Sequence, residues 1–263
     1  MVDLVIVGGG NMGAALVGGL LAAAGEPLRI AVTESLPDRR RQLADLFPLV
    51  DVTDVIPPCA GAVIAVKPPD VPAAVAAAVA AGATRILSIA AGVSIAAIEA
   101  AAVGTPDGVA VVRAMPNTPA LVGRGASAIA GGTSTDDDDL AWAERILGAV
   151  GIVERVGEQH LDAVTALTGS GPAYLFLVAE ALIDAAVAAG LPRPLAERLT
   201  TQLFVGSSAL LADRGDPAAL RAMVTSPAGT TAAGLAVLEA RATRAAFADA
   251  VVAAAARSVE LGR

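Results

Sequence analysis

A glycine-rich turn near the start of the chain is the first feature with a clear chemical use. Gly8, Gly10 and Gly13 follow an apolar run and open a helical pattern, with the spacing Gly-x-Gly-x-x-Gly. In this setting the first glycine permits a tight turn, the second lets the backbone approach a pyrophosphate, and the third lets the helix pack on the strand. Free N–H groups at the start of the helix attract phosphate oxygens. The turn therefore predicts a dinucleotide site.

The next polar feature bears on which dinucleotide is bound. The second apolar run ends at Thr33-Glu34, and Arg39, Arg40 and Arg41 follow. An acidic residue about 20 residues beyond the glycines usually accepts hydrogen bonds from ribose hydroxyls, which favours NAD. The three arginines could instead receive a 2′-phosphate, or they could lie on an exposed helix face. The sequence therefore predicts NADPH or NADH and leaves the choice open.

The rarest residue types occur in motifs. Lys67 is the only lysine, and it follows an apolar run that predicts a strand, where open α/β sheets place their ligands. A compact ammonium differs in reach and hydration from guanidinium, which indicates a role that arginine cannot fill. The Gly/Ser/Thr turns at Thr168–Ala173 and Thr225–Thr231 open predicted helices. Such turns either cap a helix or bind a small carboxylate.

Composition excludes several other classes of protein. The formal net charge is −8, so the chain lacks the basic surface that nucleic acid or an anionic membrane would require. With one cysteine, Cys59, and one histidine, His160, the chain offers no structural zinc cluster and no intrachain disulfide. The longest uncharged run, Leu4–Gly25, is interrupted by the glycine turn. We therefore predict a cytoplasmic protein with no metal, no membrane helix and no nucleic-acid partner.

The elements that must position these motifs form an α/β pattern. Apolar runs alternate with helical stretches, which predicts an N-terminal Rossmann-like, doubly wound, mainly parallel sheet. Beyond residue 158 the pattern is all helical, so we predict a dinucleotide-binding domain at 1–157 and a helical dimerisation and substrate domain at 158–263. The predicted strands are 2–7, 28–33, 62–66, 85–89 and 109–113, with possible edge strands at 126–130 and 152–156. The predicted helices include one from the glycine turn to about Ala24, then 37–47, 171–190, 194–213, 216–223, 230–240 and 243–261.

The motifs together resemble one enzyme family over essentially the whole chain. The motifs that carry the resemblance are Gly8–Gly13, Ala65–Pro68, Ser88–Gly92, Arg113–Asn117, Thr168–Ala173 and Val224–Thr231. In this order and spacing they resemble the pyrroline-5-carboxylate reductases. The resemblance implies NAD(P)H-dependent reduction of a cyclic imine, pyrroline-5-carboxylate, to L-proline, the last step of proline biosynthesis.

The resemblance also implies roles for individual residues. Thr231 and Lys67 are the candidate catalytic residues. The candidate substrate residues, for the carboxylate and ring nitrogen, are Ser226, Ala228, Gly229, Thr230 and Thr231. The candidate cofactor residues are Val7, Gly8, Gly9, Gly10, Asn11, Met12, Thr33, Glu34, Ala65, Val66, Lys67, Pro68, Ile89, Ala90 and Ala91.

The resemblance further implies an assembly. Family members form homodimers with interlocked helical domains, so that each site is shared, and these dimers assemble further, in some cases into decamers. Two positions depart from the family pattern. Ala228 replaces a glycine and must tolerate the backbone angles of its turn. Met223 stands where many relatives carry a small or polar residue.

Two alternatives remain open at this point. Another NAD(P)-dependent dehydrogenase would need a general acid/base, for which Lys67 is the candidate. We expect His160 to be structural or solvent-facing rather than catalytic. A non-catalytic nucleotide-sensing protein would use the glycine turn and leave the turn at Ser226–Thr231 without a ligand.

Overall fold

The computed structural model describes residues 1–23, 28–103 and 108–262. They pack as two compact units. The first comprises Met1–Ser170 together with the described residues from Ala253 onward, and the second comprises Gly171–Val252. The domain boundary after residue 157 stays a prediction.

An eight-stranded sheet forms the centre of the first unit. Its strands lie in the order β3-β2-β1-β4-β5-β6-β7-β8, and all neighbours pair in parallel except β6 and β7. The predicted mainly parallel sheet is therefore confirmed. The strands are β1 Val2–Val7, β2 Ile30–Thr33, β3 Asp51–Thr53, β4 Cys59–Ile64, β5 Arg85–Ser88, β6 Ala110–Met115, β7 Gly125–Gly131 and β8 Gly151–Arg155.

Helices cover both faces of this sheet. Alternate residues of β1 show the division: Leu4 and Ile6 pack with Leu16, whereas Val5 and Val7 pack with Val75. Because both faces of each central strand are covered, these strands are continuous apolar runs rather than alternating ones. The helices of the first unit are α1 Asn11–Ala22, α2 Pro37–Leu46, α3 Val71–Ala80, α4 Ile95–Ala101, α5 Asp137–Gly148 and α6 Leu161–Val164.

The described residues beyond 158 contain no strand, as predicted. A π-helical turn, Thr165–Gly169, follows α6. The remaining helices are α7 Gly171–Ala188, α8 Arg193–Arg214, α9 Pro217–Met223, α10 Thr230–Ala240 and α11 Thr243–Leu261. Their bounds agree with the predicted ones to within about two residues. Ala24, the predicted end of the first helix, lies outside the described residues, and α1 is described to Ala22.

Candidate active site

A cleft of about 720 Å³ opens where β1, β2, β4 and β5 end. These strands run in parallel, so their carboxyl ends share one edge of the sheet. Along the chain the strand order reverses at β1, which lies between β2 and β4, and such a point is where open α/β sheets bind ligands. The lining residues are Val7, Gly8, Gly10, Asn11, Met12, Thr33, Glu34, Ser35, Leu36, Asp54, Ala65, Val66, Lys67, Asp70, Ile89 and Pro116.

The glycine turn forms a cradle that larger residues would fill. Gly8 has φ +108°, and a Cβ atom there would lie 2.6 Å from the carbonyl oxygen of Ala65. A Cβ atom on Gly13 would overlap the carbonyl oxygen of Gly8. In the described helix α1 the first turn carries no acidic side chain, and Gly10 offers no side-chain cap. Its first N–H groups are therefore left to an anion, and the cradle fits the diphosphate of a dinucleotide.

One side chain just after β2 and one from α2 hold Gly9 at its N–H and its carbonyl oxygen. The Gly9 N–H donates to Oε2 of Glu34 at 3.0 Å, and Nε of Arg39 donates to the Gly9 carbonyl oxygen at 2.7 Å. The other oxygen of Glu34 accepts from the Leu36 N–H at 2.9 Å. Glu34 thus fixes the glycine turn to the end of β2 and still lines the cleft.

Lys67 lies on the opposite side of the cleft from β2. It follows β4, is exposed, and precedes the short 3₁₀ helix Pro68–Asp70. Ile89, after β5, lines the same side. Of the fifteen predicted cofactor residues, Gly9, Pro68, Ala90 and Ala91 lie outside the lining, and the remainder line it.

The end of β6 approaches the cleft through Pro116, and a partly buried ion pair fixes it. Nη1 of Arg113 donates to Oε1 of Glu158 at 2.9 Å. The same carboxylate oxygen accepts from the Ile95 N–H, at the start of α4, at 2.7 Å. Because Arg113 is only 8% exposed, this pair fastens the strand end firmly to α4.

Asn117 bridges two segments next to this strand end. Its Oδ1 accepts from the Ala126 N–H at 2.8 Å, and its Nδ2 donates to the carbonyl oxygen of Thr168 at 3.1 Å. The second contact holds the π-helical turn, a rare geometry that often marks functional sites. Asn117 therefore positions the Thr168–Ser170 segment beside the end of β6.

In the second unit the predicted substrate residues share one turn and one helix start. The Gly229 N–H donates to the Ser226 carbonyl oxygen at 3.1 Å, and Ala228 between them has φ +56°. Gly229 is the N-cap of α10 without a side-chain cap, and the first turn of this described helix carries no acidic residue. Thr231 is half-buried there. Free N–H groups and hydroxyls at this point suit a small carboxylate.

Comparison with known proteins identifies the family. Residues 158–261 match a family model described as pyrroline-5-carboxylate reductase dimerisation, and residues 3–92 match one described as NADP oxidoreductase coenzyme F420-dependent. The pyrroline-5-carboxylate reductase of Corynebacterium melassecola is 41% identical, and the alignment covers 100% of both chains. The chain belongs to the pyrroline-5-carboxylate reductase family.

Solved structures of reductases in this family have the same fold. A pyrroline-5-carboxylate reductase from Coxiella burnetii is 34% identical and superimposes with a TM-score of 0.90, covering 100% of this chain and 99% of that one. The Plasmodium falciparum enzyme, whose structure has NADP bound, is 28% identical, with a TM-score of 0.82 and coverage of 100% and 98%.

Sequence reasoning missed five residues that line the cleft of this reductase family member. Pro116 stands inside a motif already singled out, so its position after a strand was a usable signal. Asp54 follows β3, a three-residue strand that the sequence did not predict. Ser35 and Leu36 follow Glu34, and Asp70 lies three residues beyond Lys67. His160 is exposed, as expected.

The helical unit of this family member carries large exposed apolar side chains. Leu175, Phe176 and Leu177 on α7 are 55%, 66% and 65% exposed within the single chain. By length and composition alone, the helical stretch Glu158–Ala188 could also cross a membrane. It lies within the match to the reductase dimerisation model, which accounts for an apolar face without a bilayer.

Proposed function

We propose that this chain is an NAD(P)H-dependent pyrroline-5-carboxylate reductase, which forms L-proline in the last step of proline biosynthesis. The observation that carries the proposal is that one chain combines a diphosphate cradle at Gly8–Gly13 with the Ser226–Thr231 turn. Full-length similarity to curated reductases supports it.

The chain's own residues have mainly binding and orienting work to do. A reduced nicotinamide, when bound, supplies the hydride. The cyclic imine is readily protonated and is therefore already electrophilic, so the reaction needs proximity and orientation more than a strong acid. We assign the diphosphate to the N–H groups of Gly10–Met12, because those of Gly8 and Gly9 donate to Thr33 and Glu34. We assign the remaining cofactor contacts to the ends of β2, β4 and β5. Lys67 would contribute a cation at the end of β4.

We assign the substrate to the turn that precedes α10. The N–H groups of Ala228, Thr230 and Thr231 and the Ser226 hydroxyl would hold the carboxylate. The Thr231 hydroxyl would accept a hydrogen bond from the protonated ring nitrogen and keep it as the imine becomes an amine. The carboxylate role rests on the first N–H groups of α10, which have no partner inside the helix and no side-chain cap.

We also propose the assembly and compartment that the resemblance implies. Each site would be completed by the partner in a homodimer with interlocked helical domains, and dimers would assemble further into a decamer. The exposed apolar side chains of α7 support a protein partner, and the formal charge of −8 opposes nucleic acid. We place the reaction in the cytoplasm.

The test is the nicotinamide absorbance after mixing the protein with pyrroline-5-carboxylate and either reduced cofactor. We expect oxidation of the cofactor and formation of L-proline. Turnover only with 2-hydroxy acids would indicate a dehydrogenase that uses Lys67 as acid/base. Binding of cofactor without any turnover would indicate a nucleotide sensor.

The role of Thr231 has its own test. We expect Thr231→Val to lower kcat/KM for the imine by about 10- to 100-fold, because a hydrogen bond to a charged group is lost. Thr231→Ser keeps the hydroxyl and should restore most of the rate. Full kcat/KM in Thr231→Val would refute the assignment.

A further inference from the structure

The two sides of the cleft differ in charge: the side of β4 carries both Lys67 and Asp70, so that its formal charges balance. On the side of β2 its lining includes Glu34 and Asp54, two carboxylates. Among the described lining residues Lys67 is the one basic side chain, and it follows β4 on the other side. In this fold the diphosphate lies at the start of α1, and the adenosine ribose lies at the end of β2. The ribose end of the cleft is therefore lined by two carboxylates.

The arginines near this end are engaged with neighbouring groups. Nε of Arg39 donates to the Gly9 carbonyl oxygen, and its Nη1 donates to Oε1 of Gln42 at 3.2 Å. Nη1 of Arg40 donates to the carbonyl oxygens of Glu34 and Ser35, both at 2.8 Å. Moving either side chain toward a 2′-phosphate would disturb contacts that shape the glycine turn and the end of β2.

Three further charged side chains near this end of the cleft are also held by neighbouring groups. Arg41 pairs with Asp38 on its own helix. Nη2 of Arg40 lies 3.6 Å from Oδ2 of Asp54, so the charge of that guanidinium is already shared with a cleft carboxylate. The Glu34 carboxylate is held by the Gly9 and Leu36 N–H groups and cannot easily turn away from the cleft.

We propose that this enzyme prefers NADH to NADPH, and that Glu34 and Asp54 determine the preference. The inference rests on the proposed function, because it deepens the choice of cofactor at the same site. The two ribose hydroxyls of NADH can donate hydrogen bonds to a carboxylate, whereas the 2′-phosphate of NADPH cannot. That phosphate would place negative charge at the end of the cleft that Glu34 and Asp54 line.

The direct test is binding, which needs no turnover. The purified protein is titrated with NADH and with NADPH, and the nicotinamide fluorescence gives each Kd. We expect NADH to bind at least about tenfold tighter, since like charges at short range are costly. Equal affinity, or tighter binding of NADPH, would overturn the proposal.

Variants locate the origin of the preference. Asp54→Asn and Glu34→Gln each remove one negative charge from the ribose end, and we expect each to lower the Kd for NADPH and to narrow the ratio of the two Kd values. Asp45→Asn, on the exposed surface of α2, removes the same charge outside the cleft and should leave both Kd values unchanged. An unchanged ratio in Asp54→Asn would overturn the assignment even if Glu34→Gln does not fold.

Steady-state rates separate this inference from the proposed function. If pyrroline-5-carboxylate oxidises both cofactors and NADPH has the higher kcat/KM, the reductase assignment stands and the cofactor preference is wrong. If neither cofactor is oxidised, the reductase assignment fails, and the ratio of the Kd values still decides the preference. If NADH has the higher kcat/KM, the reductase assignment and the preference for NADH are both supported.

Discussion

At the scale of single residues, two alanines occupy a backbone region that side chains disfavour. Ala228 has φ +56° and Ala242 has φ +55°. This left-handed conformation costs an L-residue about 1–2 kcal/mol, because Cβ approaches the following carbonyl oxygen. The family pattern places glycine at the first of these positions. The positive φ of Ala228 shows that replacing this glycine by alanine costs conformational energy.

Replacing Ala228 by glycine should relieve that strain. We expect Ala228→Gly to raise the free energy of unfolding by about 0.5–1 kcal/mol, since part of the relief is offset by the greater freedom of glycine in the unfolded chain. Urea denaturation measures the change. Ala242→Gly is the matched control: it should give a similar gain and leave KM for the imine unchanged. A loss of stability in both variants would contradict this explanation.

Asn117 should be far more sensitive than its neighbours. Asn117→Ala leaves the Ala126 N–H and the Thr168 carbonyl oxygen without their partner in a buried place, so we expect a loss of about 1–3 kcal/mol. Thr118→Ala, at the exposed next position, should cost less than about 0.5 kcal/mol. Equal losses in the two variants, measured by urea denaturation, would show that the bridge stabilises little.

At the scale of elements, the start of α5 is capped by two carboxylates. The Asp136 side chain accepts from the Asp139 N–H at 2.9 Å, and the Asp139 side chain accepts from the Asp136 N–H at 3.1 Å, which makes a capping box. The first of these bonds holds the pKa of Asp136 below its ordinary value of 3.8. The ionised form is therefore the one that the folded state favours.

This lowered pKa predicts how stability depends on acid. The contribution of the Asp136 charge is complete above pH 3.8 and is lost as the pH falls through the lower folded value. Asn caps a helix about as well as Asp at neutral pH, so Asp136→Asn should match the wild type at pH 7 and lose less stability on going to pH 3. Asp249→Asn, in the middle of α11, should keep the wild-type pH profile. Identical profiles for wild type and Asp136→Asn would contradict the role of the cap.

The predicted elements show which signals a sequence carries well. Apolar runs such as Leu4–Val7 were easy to recognise in the sequence, because a buried strand covered on both faces needs apolar residues at successive positions. β3, Asp51–Thr53, was not predicted, because a strand of three residues at the edge of a sheet is too short to show a periodic pattern. The reversed direction of β7 was equally hidden, since direction is set by connections rather than by the composition of a strand.

In the candidate site, too, some features could be predicted from the sequence and others could not. The glycine turn was predictable because Gly8 and Gly13 are sterically required. Glu34 was expected only to meet the ribose, whereas it also holds the Gly9 N–H, a contact between positions 25 apart that local spacing cannot reveal. The use of Arg39 on the Gly9 carbonyl oxygen was hidden for the same reason.

At the scale of the whole molecule, the apolar surface of α7 should decide the oligomeric state. We expect Phe176→Glu to shift the protein from a dimer or larger assembly to a monomer in light scattering, because a charge would be buried in the interface. Activity should fall at least about tenfold, since the proposed sites are shared between protomers. Leu49→Glu, at a leucine that is 92% exposed on the first unit, should leave the mass unchanged. A Phe176→Glu variant that keeps the wild-type mass would place the interface elsewhere.

Helix α11 belongs to both compact units, since Thr243–Val252 pack with the second and the residues from Ala253 onward with the first. The Ser258 hydroxyl donates to Oδ1 of Asp162 at 2.7 Å across 96 positions of the chain. The first unit therefore cannot be completed during synthesis until the ribosome has passed the whole second unit. Translation thus sets a delay during which all eight strands are present but the end of α11 is not, because contacts between such distant positions form late.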